Sequence, residues 1–227
     1  MTRHQLLLDI RPDEPPGLDN FVVGGNAELL ARLAGLADPG VFDQVYLWGP
    51  SGSGRSHLLS GAYAHARARG RPVLQIDGAA LGRELVPLPG SLLIVDDVDR
   101  LSETAQITLF RTFNAARLAG LALLLAGPIP PLHLALREDL RTRIGATLVY
   151  EVKPLSDSDK ADALRRHGRA RGMRVEESLI DYLLRHGRRD LPSLLAVLDA
   201  LDRVSLEQQR PLTLPLLREI LQSTLEP

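Results

Sequence analysis

Cysteine is absent from the 227-residue chain and methionine occurs twice. That excludes a disulfide framework, a thiolate zinc site and a cysteine nucleophile together. The six histidines are scattered, without the spacing of a metal site. Aromatic residues make up only 4% of the chain. Trp48, Tyr63, Tyr150 and Tyr182 are therefore read as packing residues rather than as a platform for stacked bases. Lysine is almost missing too: of 27 basic residues only Lys153 and Lys160 are not arginine. The net charge is −1, far from the basic excess of a nucleic-acid-binding domain. No apolar run approaches the roughly 20 residues that span a bilayer. The opening Met1-Thr2-Arg3-His4-Gln5 leads into an apolar stretch too short for a signal peptide. A cytoplasmic protein without membrane association is expected.

What is present is enough apolar content, 44%, to build a core. After a proline-rich segment at 11–16, apolar strands at 45–48, 73–76, 92–95, 121–125 and 147–152 alternate with helices at about 56–69 and 102–120. Continuous apolar strands separated by helices predict a parallel sheet covered on both faces. From Pro154 the period changes to three and four, predicting helices at about 156–171, 176–186 and 190–206 and another opening at Thr213. The expected fold is α/β, a five-stranded parallel sheet flanked by helices and followed by a small all-helical domain. The expected boundaries are 1–20 for an N-terminal tail, 21–153 for the α/β domain and 154–227 for the helical domain.

Gly49-Pro50-Ser51-Gly52-Ser53-Gly54-Arg55-Ser56 fits the phosphate-loop pattern G-x-x-x-x-G-K-[ST] at every fixed position except the lysine. It lies between an apolar strand and a helix, where glycines let backbone N–H groups and the helix N-terminus converge on phosphate. Ser56 is the candidate ligand of a nucleotide-bound Mg²⁺. A second motif, Leu92-Leu93-Ile94-Val95-Asp96-Asp97, ends an apolar strand in two carboxylates. Asp96 is the candidate metal acid and Asp97 the candidate for positioning an attacking water. Arg55 is a departure: a planar guanidinium contacts phosphate differently from a compact ammonium, so nucleotide binding is expected to outlast hydrolysis.

A phosphate loop, a strand ending in Asp-Asp and a helical lid, in this order, resemble the AAA+ ATPases and among them the bacterial initiator DnaA. Phe21-Val22-Val23-Gly24-Gly25-Asn26 is similar to the segment before the first DnaA helix, and Leu140-Arg141-Thr142-Arg143-Ile144 to its arginine-finger segment. The shorter Hda family, regulatory inactivators of DnaA, resembles nearly the whole chain. It shares Gly54-Arg55-Ser56-His57-Leu58-Leu59, arginine included, as well as the strings Pro154-Leu155-Ser156-Asp157-Ser158-Asp159-Lys160 and Leu198-Asp199-Ala200-Leu201-Asp202-Arg203. Gln5-Leu6-Leu7-Leu8-Asp9 resembles the Q-L-x-L peptide that docks on the replication sliding clamp, with Gln5, Leu6 and Leu8 as anchors.

The resemblance implies ADP or ATP with Mg²⁺ at residues 49–57 and Asp96. It also implies the sliding clamp and DnaA as partners, and Arg143 as an arginine finger reaching the ATP of DnaA, with Arg141 as the nearby alternative. DNA contact is expected only indirectly or weakly, and a homodimer stays open. Two nucleotide sensors of the family are altered: Ala126-Gly127-Pro128 stands where a polar residue belongs, and Pro192 where an arginine does, with Arg188 or Arg189 as substitutes. The chain is expected to be at most a weak ATPase. An autonomous AAA+ ATPase or loader, and a nucleotide-free replication scaffold, are the alternatives. The run Arg165, Arg166, Arg169, Arg171 and Arg174 is read as a solvated face in an arginine-rich protein, with contact to DNA or an acidic partner as the other reading.

Overall fold

A computed structural model describes residues 15–225. The chain divides into two compact units, one of Pro15–Pro154 and one from Leu155 onward. The first is a parallel sheet of β1 (Gln44–Trp48), β2 (Val73–Asp77), β3 (Leu92–Asp96), β4 (Ala122–Gly127) and β5 (Leu148–Glu151), in the order β2-β3-β4-β1-β5. Its helices are α1 (Ala27–Gly35), α2 (Arg55–Ala68), α3 (Glu103–Ala119) and α4 (Glu138–Gly145).

The period-two alternation of a strand divides the apolar residues between the two faces of the sheet. Tyr46, Leu93, Val95, Leu123 and Leu125 point into a core with Leu109 and Phe113 of α3 and Leu140 and Ile144 of α4. Val45, Leu47, Leu92, Ile94, Leu124 and Ala126 point the other way, against Leu29 and Leu33 of α1 and Leu58, Leu59 and Ala62 of α2. Because both faces are covered, β3 and β4 are apolar at consecutive positions. The topology places β4 between β1 and β3, so the loop after β1 and the acids ending β3 face each other across the end of β4.

The second unit is α5 (Asp157–Ala170), α6 (Glu177–His186), α7 (Leu191–Gln208) and α8 (Leu214–Leu225). Leu164, Leu183, Leu198, Leu201 and Leu217 form its core. Each fully buried leucine is worth about 1.5–3 kcal/mol, which outweighs the weak intrinsic stability of short helices. α5 opens on a reciprocal capping box, in which Ser156 Oγ accepts from the Asp159 N–H and the Asp159 carboxylate accepts from the Ser156 N–H. The arginine run is partly stitched rather than wholly solvated. Arg165 pairs with Asp162 and Glu177, and Arg171 lies 3.3 Å from Asp199, while Arg166, Arg169 and Arg174 are exposed. Among the described residues no helix is long and apolar enough to cross a membrane.

Candidate functional site

The loop Gly49–Ser56 joins β1 to α2 and closes on itself through the Ser53 N–H, which donates to the Pro50 carbonyl. Gly54 sits at φ +97°, in the left-handed region, and a Cβ there would lie 2.8 Å from the Phe21 ring. Only glycine satisfies both demands. No side chain caps α2 and no acid stands in its first turn. Its free N–H groups and positive end are thus available to an anion.

The two acids at the end of β3 face this loop. Ser56 Oγ donates to Asp96 Oδ2 at 3.2 Å, and the Asp97 N–H donates to Asp96 Oδ1. Burial pushes the Asp96 carboxyl above the usual aspartate value, with the hydrogen bond from the Asp97 N–H acting against it. Asp97 itself stands at φ 45°, ψ 56°, a left-handed conformation that aspartate tolerates better than most side chains. Its Oδ1 lies 3.6 Å from Arg55 Nη2 and its Oδ2 3.7 Å from Arg100 Nη1.

Between the loop and the acids, β4 offers no polar side chain. Ala126 is fully buried in the apolar core, and a Cβ on Gly127 would collide with the Tyr46 hydroxyl. Tyr46 donates that hydroxyl to the Ile129 carbonyl at 2.7 Å, and burial pushes its phenol well above the usual tyrosine range. Tyr46 is a polar group at the site that sequence reasoning missed, because its position inside an apolar strand reads as core.

His57, one residue beyond Ser56 in α2, is engaged by the segment that precedes α1. Its Nε2 lies 2.9 Å from both the Gly17 carbonyl and Asn20 Oδ1, and its ring meets Phe21 edge-on at 5.4 Å between centroids. Residues 17–21 therefore pack on α2, although 15–20 read in the sequence as tail. Gly61 permits the approach, since a Cβ there would lie 2.8 Å from the Leu18 backbone nitrogen.

Arg143 is separate from this cluster. Leu140 and Ile144 bury one side of α4 and leave Arg143 exposed, while Arg141 is half-buried. The Arg143 guanidinium donates to Asn114 Oδ1 at 2.7 Å and lines an open cavity of about 780 Å³ with Phe110, Arg137 and Asp139. In the helical unit, Pro192 is an exposed residue in the first turn of α7, a position where proline is at home. Asp190 caps that turn by accepting from the Ser193 N–H, and Arg188 lies 3.5 Å from Asp190. Gln5, Leu6 and Leu8 lie outside the described residues.

The loop fits a phosphate group. Of the three buried side-chain polar atoms without a hydrogen-bond partner among the described residues, two belong to it, Ser53 Oγ and Arg55 Nη1. An unpaired buried donor costs about 1–3 kcal/mol, and such groups mark sites that a ligand completes. No cluster of three or more metal-binding side chains occurs among the described residues. The Ser56 hydroxyl and the Asp96 carboxylate, 3.2 Å apart, are oxygen donors of the kind Mg²⁺ takes.

The helical unit matches the family model of the Hda lid domain over residues 157–221. Domain III of the replication initiation protein DnaA from Thermotoga maritima superposes with a TM-score of 0.80 at 20% identity, covering 96% of this chain and 100% of that one. Residues 157–221 are a lid of the Hda type, in a chain with the fold of DnaA domain III. The AMPPCP-bound DnaA from Aquifex aeolicus is similar with a TM-score of 0.72 at 22% identity, over 84% of this chain and 66% of that one. A variant of the Thermotoga maritima Holliday-junction motor RuvB matches with a TM-score of 0.73 at 16% identity, over 92% of this chain and 72% of that one. At such identities these structures establish the AAA+ fold. The Hda model adds the lid type.

Proposed function

We propose that this AAA+ protein is a cytoplasmic regulator of chromosome replication initiation, which docks on the DNA-loaded sliding clamp and stimulates hydrolysis of DnaA-bound ATP. The observation that carries the reading is the Hda lid match on a DnaA-like fold. The location of Arg143 supports it. An arginine finger acts on a neighbour's nucleotide, so it must project from the surface, and Arg143 does, beside an open cavity.

In this reading Gln5, Leu6 and Leu8 anchor the protein to the clamp, and Arg143 completes the ATP site of DnaA. The guanidinium neutralises charge that grows on the γ-phosphoryl group during hydrolysis. Asn114 holds its Nη2 and so restricts the search for that geometry. The protein's own loop, Gly49 to Ser56 with His57 behind it and Asp96 opposite, holds ADP or ATP with Mg²⁺. Bound there, the nucleotide supplies charge and hydrogen bonds that order the loop and act as a conformational switch. Arg55 binds phosphate, Ser56 and Asp96 face the metal, and Asp97 is the group available to position water.

Single-turnover hydrolysis of radiolabelled ATP on DnaA, with clamp loaded on DNA, tests the proposal. Addition of this protein is expected to speed conversion to ADP at least 100-fold, a conservative floor beneath the roughly 10³- to 10⁵-fold that an arginine finger supplies. No acceleration at saturating protein would overturn it.

A further inference from the structure

Arg55 carries the positive charge of the phosphate loop, yet its side chain is only 13% exposed. Water reaches little of such a guanidinium, and a charge largely withdrawn from water calls for a counter-charge. Asp97 supplies one, at 3.6 Å, which is too long for a good hydrogen bond but close enough for strong attraction. Arg55 Nη1 keeps no partner at all. The guanidinium is therefore held but not satisfied. Asp97, in turn, has a second cation within reach: Arg100 Nη1 lies 3.7 Å from its other oxygen, is half exposed, and also approaches Asp77 at 3.6 Å.

We propose that Asp97 is an internal competitor for phosphate: its carboxylate holds the Arg55 guanidinium, so that a nucleoside diphosphate binds the loop only by breaking the Arg55–Asp97 pair. The phosphate takes the unpartnered Nη1 as well as Nη2, and Asp97 falls back on Arg100. The two states share their parts, which makes the pair a switch between a self-paired and a ligand-paired loop. The proposal rests on reading the loop as a nucleotide site, and it adds a residue that opposes binding within that site.

Titration calorimetry with ADP, and separately with inorganic pyrophosphate, tests it on the full chain. Asp97→Asn keeps the size of the side chain and its tolerance of the left-handed backbone, so the variant should fold, as a thermal melt will verify. Its affinity for both ligands is expected to rise roughly 3- to 10-fold, the effect of a partly buried ion pair. In an Arg55→Met background, which itself binds more weakly, the same Asp97→Asn change is expected to give no gain. Unchanged or weaker binding by Asp97→Asn, or an equal gain in both backgrounds, overturns the competition while leaving the nucleotide site standing. If the unaltered protein binds neither ADP nor pyrophosphate, the nucleotide reading fails and the proposal with it.

Discussion

Arg71 offers a test of the fold that is independent of function. It is 1% exposed, and its guanidinium reaches backbone carbonyls on three sides. Nη1 lies 2.7, 2.8 and 2.9 Å from the carbonyls of Leu36, Asp38 and Val41, and Nε lies 3.0 Å from that of Gly90. The arginine thus ties the connection between α1 and β1 to the turn before β3. Burial lowers its basicity, yet an arginine keeps its proton.

Arg71→Met preserves the stem and removes every donor. Four N–H donors, two on Nη1 shared among its three carbonyls, one on Nε and one on Nη2 toward the Ser91 carbonyl at 3.4 Å, at about 1.5 kcal/mol each amount to roughly 6 kcal/mol. Recovered desolvation of the guanidinium offsets part of that, about 3 kcal/mol. A net loss of about 3 kcal/mol corresponds to a fall in Tm of roughly 6–12 °C for a protein of this size. Differential scanning calorimetry reads it directly. A fall of under about 2 °C would refute the view that backbone carbonyls need this cation.

Three other outcomes follow from the site. Gly54→Ala meets both the left-handed backbone and the Phe21 ring, and is expected to lower stability by about 1–3 kcal/mol in a denaturant melt and to weaken ADP binding in calorimetry. Asp96→Asn removes a carboxylate whose pKa is raised by burial. Folding then favours the protonated form, so the ionised group costs stability as pH rises above its ordinary value of 3.8. The variant should melt higher than the parent at pH 7, lose that advantage as the pH is lowered toward 3.8, and bind Mg²⁺–nucleotide less well; a lower melt at pH 7 would contradict this account. His57→Ala severs the contacts to Gly17 and Asn20, and limited proteolysis is expected to cut faster within 15–21 while the rest of the chain stays protected.

Much of this arrangement is written locally. The central strands β1, β3 and β4 announce themselves because both faces of the sheet are buried there, and Gly49 to Ser56 because its glycines stand at fixed spacing between a strand and a helix. Ser102 and Ser156 mark helix starts through their own side chains. What escapes the sequence is non-local. The order β2-β3-β4-β1-β5 depends on how whole layers pack. α4 is an eight-residue helix too short to show a period. Arg71 follows Gly70 and precedes Pro72, a setting that reads as an exposed turn, and nothing nearby reveals the carbonyls that surround it. Likewise the Arg55 side chain is legible as a departure from lysine, but its engagement with Asp97, 42 positions away, requires the sheet that brings β3 beside the loop. Tyr46 hides for the opposite reason, since its ring belongs to the core and only its hydroxyl reaches the end of the strand.

The central claim is that Arg143 acts on another protein's nucleotide. Arg143→Ala, compared with the parent in single-turnover hydrolysis of DnaA-bound ATP on clamp-loaded DNA, tests it most directly. The account predicts that stimulation falls at least 100-fold while retention on the clamp, measured by co-elution, is unchanged. Full stimulation by Arg143→Ala would contradict it.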